Sequence, residues 1–183
     1  MMNLRRWLII SAVIFFSGML IGFLVPINLD IESIAPLGDI VDDFDSFSSP
    51  AVFMLILINN LVALGFAFFL SPLLLIVPLF SLVVNGLVVG VVGSMIIEQE
   101  SFLFLIAGIL PHGIIEIPAL LLALGASLNF GFITMKGLFK REERGNIFPG
   151  FIASVKILGI AASLMIPAAL IETFITPLIL GLF

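Results

Sequence analysis

His112 and Glu116 stand four positions apart in the segment Pro111-His112-Gly113-Ile114-Ile115-Glu116-Ile117-Pro118. That spacing puts both side chains on one face of a helix. An imidazole nitrogen beside a carboxylate is what a divalent cation or a proton relay requires. Pro111 suits the first position of a helix, where its missing N–H leaves no bond unmade, and a helix beginning there would bring its N-terminal dipole to bear on Glu116. Pro118 cannot donate to Ile114, so that carbonyl is left for another partner. A third ionisable group, Glu172, follows Pro167, which is expected to interrupt the fifth helix. Counting back from Lys136 puts Glu116 about 30 Å from the inner boundary, near the outer face, and Glu172 falls at a similar level if its helix starts near Phe148. His112, Glu116 and Glu172 are therefore expected to meet as a candidate metal set for a divalent cation. The competing reading is structural: His112 and Glu116 hydrogen-bond to each other and to freed carbonyls, tying a broken helix together.

Nothing in the chain supplies a recognisable catalytic set. The zinc-protease pattern of two histidines flanking a glutamate is absent, Ser, His and Asp form no visible triad, and no cysteine exists to serve as a nucleophile or thiolate ligand. No Gly-rich phosphate loop follows a strand, and no basic face interleaved with aromatics offers itself to nucleic acid. The chain is read as not an enzyme, with no cofactor pattern beyond the candidate cation site.

The elements that must position these residues are set by composition. Of 183 residues, 62% are hydrophobic and 10% charged, against roughly half and one quarter in a soluble domain. The predicted fold is all-α integral membrane, a bundle of about five transmembrane helices with a lipid bilayer as its solvent. The spans are expected at about 7–25, 50–70, 73–97, 112–135 and 148–170, in a single domain. Six of the seven Lys and Arg fall in two segments, Arg5–Arg6 and Lys136 to Arg144, and six acids crowd residues 30–45 without a basic residue among them. By the positive-inside rule the N-terminus and the basic loop 136–146 are cytoplasmic and the acidic loop 26–49 is external. The first apolar run is long for a signal peptide and lacks a small-residue cleavage site, so it reads as a retained helix. The interval from Glu100 to Lys136 is too long for one ordinary span. The economical solution is a broken or re-entrant element around 101–112, with 102–110 short and interfacial; the alternative is one long helix kinked at Pro111 and Pro118.

Other polar residues fall within the spans. Asn59, Asn60 and Asn85 lie near the membrane midplane by residue count, where amides pair across helices or line a polar cavity. Lys156 sits about 12 Å inside the fifth helix and is read as snorkelling to the inner surface. Gly18 and Gly22 on the first helix, and Gly86 and Gly90 on the third, are spaced for close helix packing, within one chain or across a homodimer. Gly159 and Ser163 on the fifth helix are similar.

At Pro111-His112-Gly113-Ile114-Ile115-Glu116-Ile117-Pro118-Ala119, continuing into the small residues Ala123 to Ala126, the sequence resembles the stage II sporulation protein M family of multipass membrane proteins. Asn59-Asn60, and the stretch from Ala169 to Pro177 with Glu172 and Thr176, resemble two further family patterns. The resemblance implies a helical membrane protein. Its namesake acts with cell-wall-degrading partners during engulfment in spore-forming bacteria, although relatives also occur in organisms that do not sporulate. His112, Glu116 and Glu172 match the family's polar signature. The reading that follows is a non-enzymatic membrane scaffold or assembly subunit acting through other membrane or envelope proteins. The alternatives are a permease-like transport component or dimeric pore with its polar site at His112, Glu116 and Glu172, and, third, a metal-dependent membrane enzyme.

Overall fold

The structure is a computed structural model that describes residues 4–25, 49–73 and 75–182. The acidic loop expected over 26–49 lies outside the described residues except for Ser49. Five main helices follow in order: α1 (Leu4–Leu24), α2 (Ser49–Leu70), α3 (Ile76–Gln99), α4 (Phe102–Phe139) and α5 (Ile147–Leu170). A 3-10 turn (Arg141–Asn146) joins α4 to α5. A π-helical segment (Ile171–Ile175) and a short α6 (Thr176–Leu180) continue the line of α5. Among the described residues, five helices are long and apolar enough to cross a membrane, as an all-helical membrane bundle requires.

The re-entrant element is corrected. Residues 102–110 and 112–135 belong to one continuous helix, α4, which contains both Pro111 and Pro118. Ser101 starts it: its backbone is extended and its hydroxyl accepts from the Phe104 N–H at 3.1 Å. The reason is a comparison of losses. Each internal proline removes one hydrogen bond and adds a steric clash, together about 3 kcal/mol. A chain break in apolar surroundings would instead strand up to four C=O groups at one new terminus and four N–H groups at the other. At about 57 Å, α4 is almost twice the thickness of a bilayer's hydrocarbon core.

The bundle is organised around α4. Every residue from Ala123 to Gly131 is buried, so the other helices surround this stretch. Its alternation of Ala, Gly and Ser with Leu124 and Leu128 permits close approach on several sides at once. Phe15, Ala67, Leu82, Leu124 and Leu128 form one buried cluster, and Leu64, Ala119, Ala123, Ala161 and Met165 a second. A buried hydrogen bond from Asn129 Nδ2 to Ser154 Oγ (3.1 Å) ties α4 to α5, satisfying polar groups that would be expensive in an apolar interior.

The glycine spacing resolves in favour of packing within the chain. Gly18 and Gly22 of α1 face α3, and Gly86 and Gly90 of α3 face α1. A Cβ added at Gly18 would stand 2.8 Å from the Val83 carbonyl oxygen; at Gly22, Gly86 and Gly90 it would overlap the carbonyl oxygens of Leu87, Phe15 and Met19 respectively. The two backbones touch along this seam, which leaves none of the four positions to a homodimer contact. Gly159 differs, since an added Cβ there meets nothing within 4 Å.

Candidate functional site

His112 and Glu116 project from adjacent turns of α4, and Glu172 projects from the π segment that follows α5. One ligand atom from each of the three lies within 4.8 Å of the others. All three side chains are partly buried. The convergence expected from helix counting is thus present in the structure, and it is built from two elements.

The π segment is what delivers Glu172. The interruption expected at Pro167 does not occur there, and α5 runs through that proline. The irregularity falls at Ile171–Ile175, just ahead of Pro177, and the Thr176 N–H reaches back five residues to the Ile171 carbonyl. Pro177 has no N–H for the normal α-helical bond, and widening the turn before it accommodates the ring. The extra residue in that turn also resets which face the following side chains occupy.

The hydrogen bonds of the α4 pair run to other elements, so they do not form the mutual tie of the structural reading. Asn60 of α2 donates through Nδ2 to Glu116 Oε1 at 3.3 Å. Thr176 Oγ1 of α6, itself buried, stands 3.5 Å from His112 Nδ1, at the outer limit of hydrogen-bond reach. An imidazole whose Nδ1 is engaged in this way presents Nε2 to a ligand. Asn60 lies 10 residues before Leu70 and 11 after Ser49, so it is roughly 15 Å from either end of α2. The bond to Glu116 sets the site level with the middle of that helix, deeper than the outer-face level expected from counting, because α4 is one 38-residue helix longer than the spans around it.

The three candidate ligands line a half-open cavity of about 350 Å³, together with Asn85 of α3 and Phe15 of α1. Asn85 donates to the Ser81 carbonyl (2.8 Å) and hydroxyl (3.3 Å) one turn earlier on its own helix. Two carboxylates and an imidazole so arranged can hold a borderline or hard divalent cation with coordination positions to spare.

The remaining polar candidates lie apart. Asn59 is on the outward face of α2, exposed beside Val62 and Phe66, and the described residues give it no side-chain hydrogen bond. Lys156 is exposed on α5. Sequence reasoning missed the partners: nothing in the order of residues pairs Asn60 with Glu116, 56 positions away, or Thr176 with His112.

Fold and site together define a multipass helical membrane protein with a polar cluster inside its bundle. The chain belongs to the stage II sporulation protein M family, which matches residues 11–177. It is 29% identical over 171 residues to a protein of Methanocaldococcus jannaschii described as uncharacterized, the alignment covering 93% of each chain. No solved structure matches the chain.

Proposed function

We propose that this protein binds a divalent cation within the membrane at His112, Glu116 and Glu172 and serves as a permease-like transport component. The observation that carries the reading is the convergence of those three side chains on one cavity, level with the middle of α2. Ionisable groups inside membrane helices are expensive, and where they cluster around a cavity they mark ion or substrate pathways. The π turn and the helix prolines beside the cluster are the kind of irregular backbone that transporter sites employ. The basic residues support a cytoplasmic N-terminus. Arg6 and Trp7 of α1 line a cavity with Phe132 and Lys136 of α4, so the two basic segments share one end of the bundle, as the positive-inside rule asks.

The test is titration of the purified protein with Mn²⁺ and Zn²⁺, followed by flux of the bound ion through the protein in sealed vesicles. One ion per chain, lost in Glu116→Gln and Glu172→Gln, is expected, with uptake above that of empty vesicles. A wild-type protein that binds neither ion would overturn the reading.

A second reading, the scaffold or assembly subunit, is favoured by Asn59. A lone amide midway along the outward face of a membrane helix is stabilised by pairing across to another chain. Under this reading α2 is the face that recruits a second copy or a membrane partner, in place of the glycine seam that α1 and α3 consume.

A further inference from the structure

Among the described residues, the candidate cation site has an opening on the side of the bundle. Asn85, Val88 and Val92 of α3 line it and are exposed on the outside of the bundle. Asn85 is nine residues into α3, roughly 14 Å from the nearer helix end, so the opening lies in the wall of the bundle and faces lipid. Against this polar cavity lies a second one of about 400 Å³, lined by apolar side chains and glycine alone, among them Phe23 of α1, Gly93 of α3 and Leu105 of α4. The two share Val89, Ile109 and Ile117 as lining residues. A polar pocket set directly against an apolar groove, on the side of the bundle, has the shape of an amphiphile's site.

The charge of the polar pocket narrows the headgroup. Glu116 and Glu172 repel a bare phosphate. With a divalent cation between them the charges balance, and three protein ligands leave open positions that oxygen donors fill. Divalent ions held by one or two carboxylates commonly complete their shell with a ligand's phosphate oxygens. We propose that the ligand of this site is a phosphate-bearing membrane amphiphile, its phosphate completing the coordination of the cation and its chain lying in the groove beside Gly93. The proposal rests on the cation-site reading above and names the class of ligand that joins the cation at that site.

The test is ³¹P hyperfine coupling to Mn²⁺ bound by the full chain in nanodiscs of phosphatidylglycerol, with Glu116→Gln subtracting ions held elsewhere. A Glu116-dependent Mn²⁺ coupled to phosphorus is expected. Gly93→Leu should abolish that coupling while Mn²⁺ stays bound. The nearest atoms to a Cβ at Gly93 are the Leu105 methyls at 3.8 Å and the Phe23 ring at 4.0 Å, both in the groove, so the longer side chain should fill the groove and leave the ligands alone. Leu110→Trp, at the exposed rim of the same groove, repeats the block if Gly93→Leu does not fold. Glu116-dependent Mn²⁺ without phosphorus coupling would overturn this inference and leave the cation site standing. Absence of any Glu116-dependent Mn²⁺ would remove the site itself. In maltoside micelles supplied with inorganic phosphate, coupling that nanodiscs fail to reproduce would assign the phosphate to a free anion and overturn the lipid.

Discussion

Asn60 of α2 donates its side-chain amide to the Glu116 carboxylate of α4 at 3.3 Å, joining residues 56 positions apart. This bond engages one oxygen of the candidate ligand, Oε1. It also sets the height of the site against the middle of α2. Removing the amide in Asn60→Leu leaves the Glu116 carboxylate partly buried with no donor. The expected cost is about 1–3 kcal/mol of stability, read as a lower melting temperature in detergent. An unchanged melting temperature would show that the bond contributes nothing.

The α1–α3 seam gives a prediction with an internal control. Gly90→Leu drives a side chain into the Met19 carbonyl, whereas Gly159→Leu enters open space. Overpacking of this kind costs roughly 1–3 kcal/mol or more, while surface changes stay within about 0.5 kcal/mol. Thermal unfolding should therefore separate the two variants sharply. Equal tolerance at both positions would contradict the packing of α1 on α3.

Continuity of α4 is tested at Pro118. In an unbroken helix, Pro118→Ala restores a donor to the Ile114 carbonyl and removes the ring's clash, a gain of up to about 3 kcal/mol. A rise in melting temperature, with slowed amide exchange at the new N–H, is the expected result. A fall in stability would point back to a break at the prolines.

Asn59→Leu separates the two functional readings. The substitution should leave cation binding and monomer stability intact, because Asn59 lies outside the site and has no partner of its own among the described residues. Association with a second copy or a membrane partner should weaken by about 1 kcal/mol for each amide pair lost. Undiminished association, measured by energy transfer between labelled chains in lipid or by co-purification, would remove α2 as the recruiting face.

Much of this arrangement was legible from residue order, for reasons that differ by element. Helices in an apolar solvent are dictated by length and hydropathy alone, because no other open structure satisfies the backbone. The i,i+4 spacing of His112 and Glu116, with the level of Glu172, made their meeting a matter of counting. The course of residues 101–112 was misread because proline was judged by its local cost, without the larger cost of exposing helix ends to an apolar medium. The π turn escaped notice for a related reason: Pro167 and Pro177 carry the same local signal, and only packing decides which one disturbs the helix. Asn60 could be named as a polar residue in need of a partner, but that partner comes from tertiary structure. So does the distinction between Asn59, facing out, and Asn60, facing Glu116.

The central claim is that His112, Glu116 and Glu172 hold a cation, and elemental analysis of the detergent-purified protein tests it most directly, with wild type beside Glu116→Gln. The account predicts one divalent ion per chain in the wild type and loss of most of it in the variant, with both proteins folded. Absence of metal from both, after incubation with Mn²⁺ and Zn²⁺ and removal of the excess, would contradict it and leave Glu116 and His112 as structural residues held by Asn60 and Thr176.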